Sequence, residues 1–379
     1  MKIDGIKLSL EKLEVNNYKS LHSLTISLRK FNVFIGRNNS GKSNLLDCLQ
    51  FISEITTINP TSAAFAERGD YSHVVFGGNL KEQITLKVWQ DINGAQTDYE
   101  IILGENGIIN ERVFDESHNL VLLDRKEPGT VNIFDEGGHS ISTIGTNPTV
   151  SGLMYIRADP VYQKKSPTLA NLVSFLNDWK FYKLNPAALR SALGARRQYD
   201  IGKDGSLTPL VLHTLLSEKL SIFKEVEETL RSAIEEIEEL QSPLTVDGKA
   251  YVAIKEKSFE KPFDYNQLSD GTLILLAHLL AVQSPAKGKL IAVEEPEDYV
   301  HPKLLKFLVD TIKASGTQVL LVTQSPYLLD VVSPEDVFIV QKIQGKTRCT
   351  SPDKKELVKS LKNFTMGELW ASGEFENAK

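Results

Sequence analysis

Residues 31–48, which read FNVFIGRNNSGKSNLLDC, constrain the fold of this chain more than any other segment. An apolar run ends at Gly36, a polar loop follows, and Gly41 and Lys42 lead into a segment with leucines at helical spacing. The pattern G-x-x-x-x-G-K-S between a strand and a helix is typical of a phosphate-binding loop, whose backbone N–H groups point inward at a polyphosphate. The sequence therefore predicts a P-loop and a site for a nucleoside triphosphate.

The residues of this loop have distinct expected parts in holding the phosphates. Gly36 and Gly41 allow the backbone turns that the loop needs, and the helix that opens at Lys42 adds its N-terminal partial positive charge. Lys42 is expected to reach the β- and γ-phosphates, and the Ser43 hydroxyl is expected to ligate Mg²⁺. The predicted nucleotide-binding residues of the loop are Gly36, Asn38, Asn39, Ser40, Gly41, Lys42, Ser43 and Asn44.

Composition excludes several other classes of protein. No apolar run approaches the ~20 residues of a membrane span, and the N-terminus lacks the apolar stretch of a signal peptide, so we expect a cytoplasmic protein without membrane contact. Cys48 and Cys349 are too few for a disulfide framework or a cysteine-rich metal site. Because the net charge is −6, any nucleic-acid-binding surface must be a local patch.

The pattern of the chain changes along its length. Between residues 71 and 150, short alternating runs separated by Asn-Gly and Gly-Gly turns predict an antiparallel sheet of hairpins. Residues 157–241 are predicted to be mostly helical, with one apolar stripe from Leu220 to Leu240 opposite an acidic face. We therefore predict an α/β protein in which residues 1–156 hold the first part of a nucleotide-binding core and the antiparallel subdomain. Residues 157–285 would form a helical lobe, and residues 286–379 the second part of the core.

A basic segment lies within the predicted helical lobe. Between residues 157 and 203, nine basic residues are opposed by three aspartates, and aromatic residues are interleaved with them. A polyanion-binding face would produce this pattern, but so would ordinary surface charge, which is at least as common a cause. The residues of the predicted nucleic-acid-binding patch are Lys164, Lys165, Lys180, Lys183, Arg190, Arg196 and Arg197.

A second acidic segment follows a strand of the buried type. Residues 289–293 are apolar except for Lys289 and end in Glu294-Glu295-Pro296-Glu297. In P-loop enzymes, acids in this position hold the Mg²⁺ shell and activate the attacking water. Glu294 suits the metal role, directly or through water, and Glu295 suits the role of the base. A charged strand-to-loop turn is the alternative, but four acids around a proline within residues 294–298 make it a poor explanation.

Two further polar segments precede helices. Ser269 is a sound N-cap for the apolar helix that begins near residue 273, and in a functional interpretation Ser269 and the Gly271 N–H contact a γ-phosphate. Residues 319–322 form another buried-type strand, and Gln324 follows it. A polar residue in that position can contact the γ-phosphate or sense its loss. The order of these strands and helices is that of an α/β core.

Together, these motifs resemble those of ABC-type ATPases of the SMC, RecF and OLD branch. The resemblance is to the short form, which has neither a long coiled coil nor an appended nuclease domain. Residues 17–21 (NYKSL), 38–47 (NNSGKSNLLD) and 368–373 (ELWASG) extend it over nearly the whole chain. It implies ATP and Mg²⁺ as ligands, a signature motif at residues 269–271, and a switch residue at Gln324. The metal ligands would be Ser43 and Glu294, and the catalytic residues would be Glu295, Lys42 and Gln324.

The resemblance also implies a function. Two chains would close head to tail around two ATP molecules, and the cycle would control binding to DNA, RNA or an effector protein, in DNA repair or anti-phage defence. The alternative is an ATP-dependent scaffold, slow or inactive in hydrolysis, for a separately encoded nuclease or toxin. Gln324 favours this alternative, because the family commonly has histidine there and glutamine cannot carry a proton. Glu294 stands where aspartate is common, which favours a water-mediated contact to Mg²⁺.

Overall fold

The computed structural model describes residues 8–92, 94–126, 129–285, 288–352 and 360–374. The chain forms two compact units, each made of several segments. Unit 1 comprises the described parts of Met1–Asn32, Gly36–Trp179 and Phe338–Ser351, and unit 2 those of Val33–Ile35, Lys180–Val337 and Pro352–Lys379. The division of the sequence at residues 156 and 285 stays a prediction.

The elements are numbered in chain order. The strands are β1 (Leu8–Tyr18), β2 (Leu21–Ser27), β3 (Phe31–Ile35), β4 (Ile84–Ile92), β5 (Ala95–Gly104), β6 (Gly107–Asp115), β7 (Leu120–Arg125), β8 (Thr130–Phe134), β9 (Ser140–Gly145), β10 (Trp179–Tyr182), β11 (Leu193–Gly194), β12 (Ile237–Gln241), β13 (Lys249–Ala250), β14 (Ala253–Glu256), β15 (Phe263–Asp264), β16 (Leu290–Glu294), β17 (Gln318–Thr323), β18 (Val337–Ile343) and β19 (Lys346–Thr350). The helices are α1 (Lys42–Thr57), α2 (Thr61–Ala66), α3 (Tyr71–Val74), α4 (Gly152–Ala158), α5 (Pro160–Lys165), α6 (Pro167–Asn177), α7 (Pro186–Leu189), α8 (Thr208–Glu218), α9 (Leu220–Ala233), α10 (Asp270–Gln283), α11 (Pro302–Ala314), α12 (Pro326–Leu329) and α13 (Met366–Ala371).

Unit 1 is built on an eight-stranded sheet in the order β2-β1-β4-β5-β6-β7-β8-β9, and its recorded strand pairs are antiparallel. Alternate side chains such as Ile84, Leu86 and Val88 on β4 are buried, because successive residues of a strand point to opposite faces. Helix α1 packs against α4 and α6, and the hairpin β18–β19 contacts β2. The predicted antiparallel sheet is confirmed, and the sheet also includes β1 and β2.

Unit 2 contains the strands β10, β16, β17 and β3 as successive neighbours in one sheet. Strands β16 and β17 are parallel, and their register pairs Glu294 with Val322. Both strands are almost entirely buried, as apolar strands of a parallel sheet covered on both faces are. Helix α10 is buried from Leu273 to Val282, since nearly all of its side chains are apolar. The α/β class is confirmed, and the register brings the carboxyl ends of β16 and β17 together.

The helical stripe predicted over residues 220–240 is wrong in its last part. Helix α9 ends at Ala233, and β12 then pairs with β14 in a small antiparallel sheet. The register of β12 shifts between Ile237 and Glu239, so that Ile237 and Leu240 are both buried although they lie three residues apart. A β-bulge thus imitates the spacing of a helical stripe. The lobe is mixed, because it also contains β11, β13 and β15.

In the part of the chain that the structure describes, no helix has both the length and the apolar character needed to cross a membrane.

Candidate functional site

The phosphate loop joins β3 to α1, and its conformation requires glycine at position 41. Gly41 is the N-cap of α1 with φ 102°, in the left-handed region that side chains disfavour. A Cβ at Gly41 would lie 1.9 Å from the Thr347 Oγ1, and a Cβ at Gly36 would lie 2.4 Å from the Val340 carbonyl oxygen. Asn39 is also left-handed, with φ 65°. Gly41 is therefore explained by both backbone angle and contact, and Gly36 by contact.

Lys42 and Ser43 occupy the first turn of the 16-residue helix α1. The Lys42 side chain is buried, and its Nζ donates to the carbonyl oxygens of Gly36 at 2.6 Å and Arg37 at 3.1 Å. Ser43 is exposed. An ammonium folded over the loop, the positive end of a long helix and an accessible hydroxyl together provide the donors that a polyphosphate and its metal need. The residues present therefore fit a nucleoside triphosphate.

The other predicted loop residues divide into two groups. Asn38 is exposed, and the Asn39 Oδ1 accepts from the Lys342 Nζ at 3.3 Å. Ser40 and Asn44 have their contacts on the inner side of the loop, where the Asn44 Nδ2 donates to the Ser20 Oγ at 2.7 Å. The nucleotide-binding role of all four residues stays a prediction.

A chain of side-chain hydrogen bonds supports the phosphate loop. The Thr347 Oγ1 donates to the Ser40 carbonyl at 3.0 Å and lies 2.7 Å from the Ser20 Oγ. Since the proton of Thr347 goes to Ser40, Ser20 donates to Thr347 and accepts from Asn44. The sequence did not point to Thr347, because no local pattern marks it. In the structure, the Ser20 hydroxyl supports the phosphate loop.

Glu294, the predicted metal ligand, is the last residue of β16, and its carboxylate is paired. The Lys183 Nζ lies 2.9 Å from the Glu294 Oε2. The hydrogen bond to Glu294 and its negative charge raise the pKa of Lys183. Mg²⁺ usually takes one or two protein oxygens with water and phosphate oxygens, and a carboxylate such as that of Glu294 is a donor of this kind. Within the described ranges, no group of three or more His, Cys, Asp or Glu side chains is gathered as a metal centre.

Glu295, the predicted base, has an unusual backbone. Its φ is 45°, and a residue with a side chain adopts such an angle only where the surrounding structure compensates the strain. The Glu295 N–H donates to the Val322 carbonyl at 2.7 Å, and the Gln324 N–H donates to the Glu295 Oε2 at 3.2 Å. The structure therefore brings together Glu295 and Gln324, and their contact runs through the Gln324 backbone.

Glu297 was not among the predicted site residues, yet it shares this network. The Thr323 Oγ1 donates to the Glu297 Oε1 and accepts from the Ser325 N–H at 2.8 Å. Burial, together with the neighbouring Glu295 carboxyl, raises the pKa of Glu297 to about 8, against the lowering effect of the Thr323 hydroxyl. The acidic composition of residues 294–298 was the only sequence signal, and it does not distinguish this glutamate from the others.

Ser269 caps α10, as predicted. Its Oγ accepts from the Thr272 N–H at 3.1 Å. The Arg190 Nη2 donates to the Leu268 carbonyl at 2.7 Å and to the Asp270 Oδ1 at 2.6 Å, which fixes the segment before the helix. A Cβ at Gly271 would lie 2.7 Å from the Tyr299 carbonyl oxygen, so this position also requires glycine. Contact of Ser269 and Gly271 with a γ-phosphate stays a prediction.

The predicted nucleic-acid-binding patch is largely neutralised by ion pairs. Lys164 and Lys165 lie on α5 of unit 1, whereas the other members belong to unit 2. Within unit 2, four of the basic residues have carboxylate partners at 2.6 to 2.9 Å. These pairs are Lys180–Asp200, Lys183–Glu294, Arg190–Asp270 and Arg197–Glu218. Because paired cations offer little net charge to a polyanion, the structure gives the patch weak support.

The fold and the phosphate loop define a P-loop ATPase of the ABC type. The sequence profile of the AAA_21 family, described as "AAA domain, putative AbiEii toxin, Type IV TA system", matches residues 31–330. The chain belongs to this family, which confirms the class of ATPase inferred from the motifs. No curated protein sequence matches the chain.

Solved structures show the same fold. An Smc head bound to the C-terminal winged-helix domain of ScpA has a TM-score of 0.58 at 15% identity, with 92% of this chain and 99% of that chain covered. An Smc head with an extended coiled coil, bound to the C-terminal domain of ScpA derived from Pyrococcus furiosus, has a TM-score of 0.52 at 12% identity. There 94% of this chain and 99% of the other are covered. At this identity the similarity establishes the fold alone, which is that of these Smc head domains.

Proposed function

We propose that the protein is a Mg²⁺-dependent ATPase whose ATP-bound form is a head-to-tail homodimer. The observation that carries the proposal is the phosphate loop, in which the buried Lys42 ammonium bonds two loop carbonyls at the start of α1. Membership of an AAA-type family supports ATP as the nucleotide. Dimerisation rests on the resemblance to SMC-type ATPases and on Ser269 and Gly271, which would complete the site of the partner chain.

Each site residue has a proposed part in hydrolysis. Lys42 exchanges its loop carbonyls for phosphate oxygens, and the α1 N-terminus orients the nucleotide through its N–H groups. Mg²⁺, when bound, offsets the charge of the phosphates, with Ser43 and Glu294 as its protein ligands. Glu295 accepts a proton from the attacking water, and Gln324 contacts the γ-phosphate. The left-handed backbone of Glu295 is consistent with a residue held for function.

The proposed consequence of the ATP cycle is control of a protein partner. The Smc heads of similar fold were solved with domains of ScpA, and the family description names a toxin. The ion pairs of the basic residues make nucleic acid the weaker proposal. We therefore favour a separately encoded effector in anti-phage defence over direct action in DNA repair, in a cytoplasmic setting.

Steady-state ATP hydrolysis tests the proposal. Lys42→Ala should weaken nucleotide binding, whereas Glu295→Gln should bind ATP, fail to turn it over and accumulate as the dimer in sedimentation. Lys306→Ala, an exposed change on α11, is the control and should behave as the wild type. Full turnover by Glu295→Gln would show that another group is the base.

A scaffold with little hydrolysis is the second proposed function, and Gln324 is the observation that favours it. Its side chain is exposed, and its recorded contact with Glu295 runs through the backbone N–H. Sedimentation with and without ATP, measured beside turnover, separates the two functions. Strong ATP-driven dimerisation with negligible hydrolysis, and gain of turnover by Gln324→His, would support the scaffold.

Nucleic-acid binding is tested separately by charge reversal. Arg196 and Arg197 are exposed on the predicted patch, and replacement of both by glutamate should abolish salt-sensitive binding of DNA or RNA if the patch is functional. Equal binding by wild type and variant would exclude this surface.

A further inference from the structure

Glu297 is held in an environment that is unfavourable for a second carboxylate. Its Oε1 accepts the only proton of Thr323, whose oxygen is already bonded to the Ser325 N–H. Its Oε2 is buried and has no hydrogen-bond donor among the described residues. On the other side, the Glu297 carboxyl is within hydrogen-bonding reach of Glu295. One oxygen of Glu297 thus accepts a hydrogen bond, and the other is buried without a donor among the described residues.

Protonation of Glu297 resolves both difficulties. An ionised oxygen without a donor loses its hydration and gains nothing in return, and two neighbouring carboxylates repel each other. A protonated Glu297 becomes a donor, and the group that it meets is the Glu295 carboxylate. Glu295 is the acceptor in this pair, because its Oε2 already accepts the Gln324 N–H, whereas the buried Glu297 Oε2 has no donor among the described residues.

The surrounding charges of unit 2 favour the same state. The Lys183 ammonium is bonded to the Glu294 carboxylate, at 2.9 Å. The Thr323 hydroxyl is neutral, and the charged group that raises the pKa of Glu297 is the Glu295 carboxyl. The titratable groups of this loop besides Glu297 are Glu294, Glu295 and Asp298, and the Lys183 ammonium interacts with all three.

We infer that Glu297 is a positioning residue of the hydrolysis site, a protonated carboxyl group that donates to Glu295 and holds it toward the attacking water. The inference rests on the proposed role of Glu295 as the base. During hydrolysis, Glu295 takes one proton from the water while the water oxygen bonds to the γ-phosphorus and ADP leaves. Glu295 then returns that proton to the phosphate product or to solvent. Glu297 keeps its own proton throughout, so no further acceptor is needed.

A protonated Glu297 also bears on the switch position. Gln324 cannot bind and release a proton as a histidine at this position could. In this chain the group that holds a proton beside the base is Glu297, which acts through Glu295 alone. Its removal should therefore affect the rate of hydrolysis more than the affinity for ATP.

Infrared spectroscopy tests the protonation state without any need for activity. At neutral pH the C=O stretching band of a protonated carboxyl group should be present in the wild type and reduced in Glu297→Gln. The band should fade in the wild type as the pH is raised through the pKa of Glu297. The matched control is Glu260→Gln, which removes an exposed glutamate and should retain the band. Identical wild-type and Glu297→Gln spectra would overturn the inference.

The pH dependence of hydrolysis tests the positioning role. The turnover number of the wild type should fall on the alkaline side, because a deprotonated Glu297 no longer donates to Glu295 and repels it. Glu297→Gln keeps an N–H donor but cannot titrate, so its turnover should lack this alkaline fall while its KM for ATP stays close to that of the wild type. An equal alkaline fall in both proteins would contradict the positioning role.

Thr323 provides a second perturbation that leaves Glu297 in place. Thr323→Val removes the donor that stabilises ionised Glu297, so the alkaline fall and the loss of the infrared band should both move up by about one pH unit. Thr323→Ser keeps the hydroxyl and should titrate like the wild type. A shift to lower pH in Thr323→Val would contradict the inference. If no variant hydrolyses ATP, the proposed function fails, and the infrared band still decides the state of Glu297.

Discussion

The Thr347 hydroxyl gives the most specific prediction about the phosphate loop. Thr347 lies on the hairpin β18–β19, and its hydroxyl bonds the Ser40 carbonyl at 3.0 Å and the Ser20 hydroxyl at 2.7 Å. Thr347→Val replaces this hydroxyl by a methyl group of similar size. The change removes both hydrogen bonds while the packing against Gly41 is kept, so that any effect reports the hydroxyl itself.

The size of the effect follows from the buried acceptors that the substitution leaves behind. A buried polar group without its partner costs about 1–3 kcal/mol, so unit 1 should lose about 2 kcal/mol of unfolding free energy. Part of this cost will appear as a looser loop, which must be ordered again when the nucleotide binds. A penalty of about 1–2 kcal/mol on binding corresponds to an affinity about 5- to 30-fold lower.

Calorimetric titration with ATP and urea denaturation measure the two effects. Thr347→Ser keeps the hydroxyl and loses only a methyl group, so it is the matched control and should bind ATP nearly as tightly as the wild type. The reasoning is refuted if Thr347→Val binds ATP like the wild type, or if Thr347→Ser is weakened as much as Thr347→Val. In the second case the methyl contact, and not the hydrogen-bond chain, would support the loop.

Three further predictions concern buried or paired charges. Burial lowers the pKa of His278 from 6.5 to about 4, so the folded protein binds a proton at this residue less readily than the unfolded chain does. As the pH falls from about 6.5 to about 4, the wild type should therefore lose about 3 kcal/mol more unfolding free energy than His278→Gln. Arg125 and Glu111 form a fully buried pair, so Arg125→Met should destabilise unit 1 by about 3–5 kcal/mol in urea denaturation, and addition of Glu111→Gln should recover part of the loss. Lys183→Met releases Glu294 from its cation and should lower the Mg²⁺ concentration needed for half-maximal ATP binding by about two- to fivefold, whereas Lys180→Met should leave it unchanged.

The features that the sequence predicts well are those that depend on nearby residues. Glycine at position 41 follows from the geometry of a turn that leads into a helix, and Ser269 is predicted as a cap from the residue types on either side of it. The acids of residues 294–297 were placed at the end of a strand because the apolar run before them has the length and composition of a buried strand. In all three cases the physical cause lies within a few residues along the chain.

The features that were missed depend on partners far apart in the sequence. Thr347 supports a loop that precedes it by some three hundred residues, and nothing around Thr347 indicates this. Lys183 was assigned to a basic patch because its neighbours are basic, although its partner is Glu294. The bulge at Ile237 was predicted as helix, because a strand with a register shift and a helix can bury the same residues.

The acidic motif at residues 294–297 illustrates how one short segment can supply different chemistry at each position. Adjacent carboxylates repel one another, so three glutamates in four residues can fold together only if each is compensated separately. Glu294 has the ammonium of Lys183, Glu295 has a backbone N–H, and Glu297 has the hydroxyl of Thr323. An ammonium balances the charge of the first carboxylate, a backbone N–H bonds the second, and a single hydroxyl in a buried setting is too little to stabilise a third charge. These three different environments are the basis on which we propose a metal ligand, a base and a protonated support for three identical side chains.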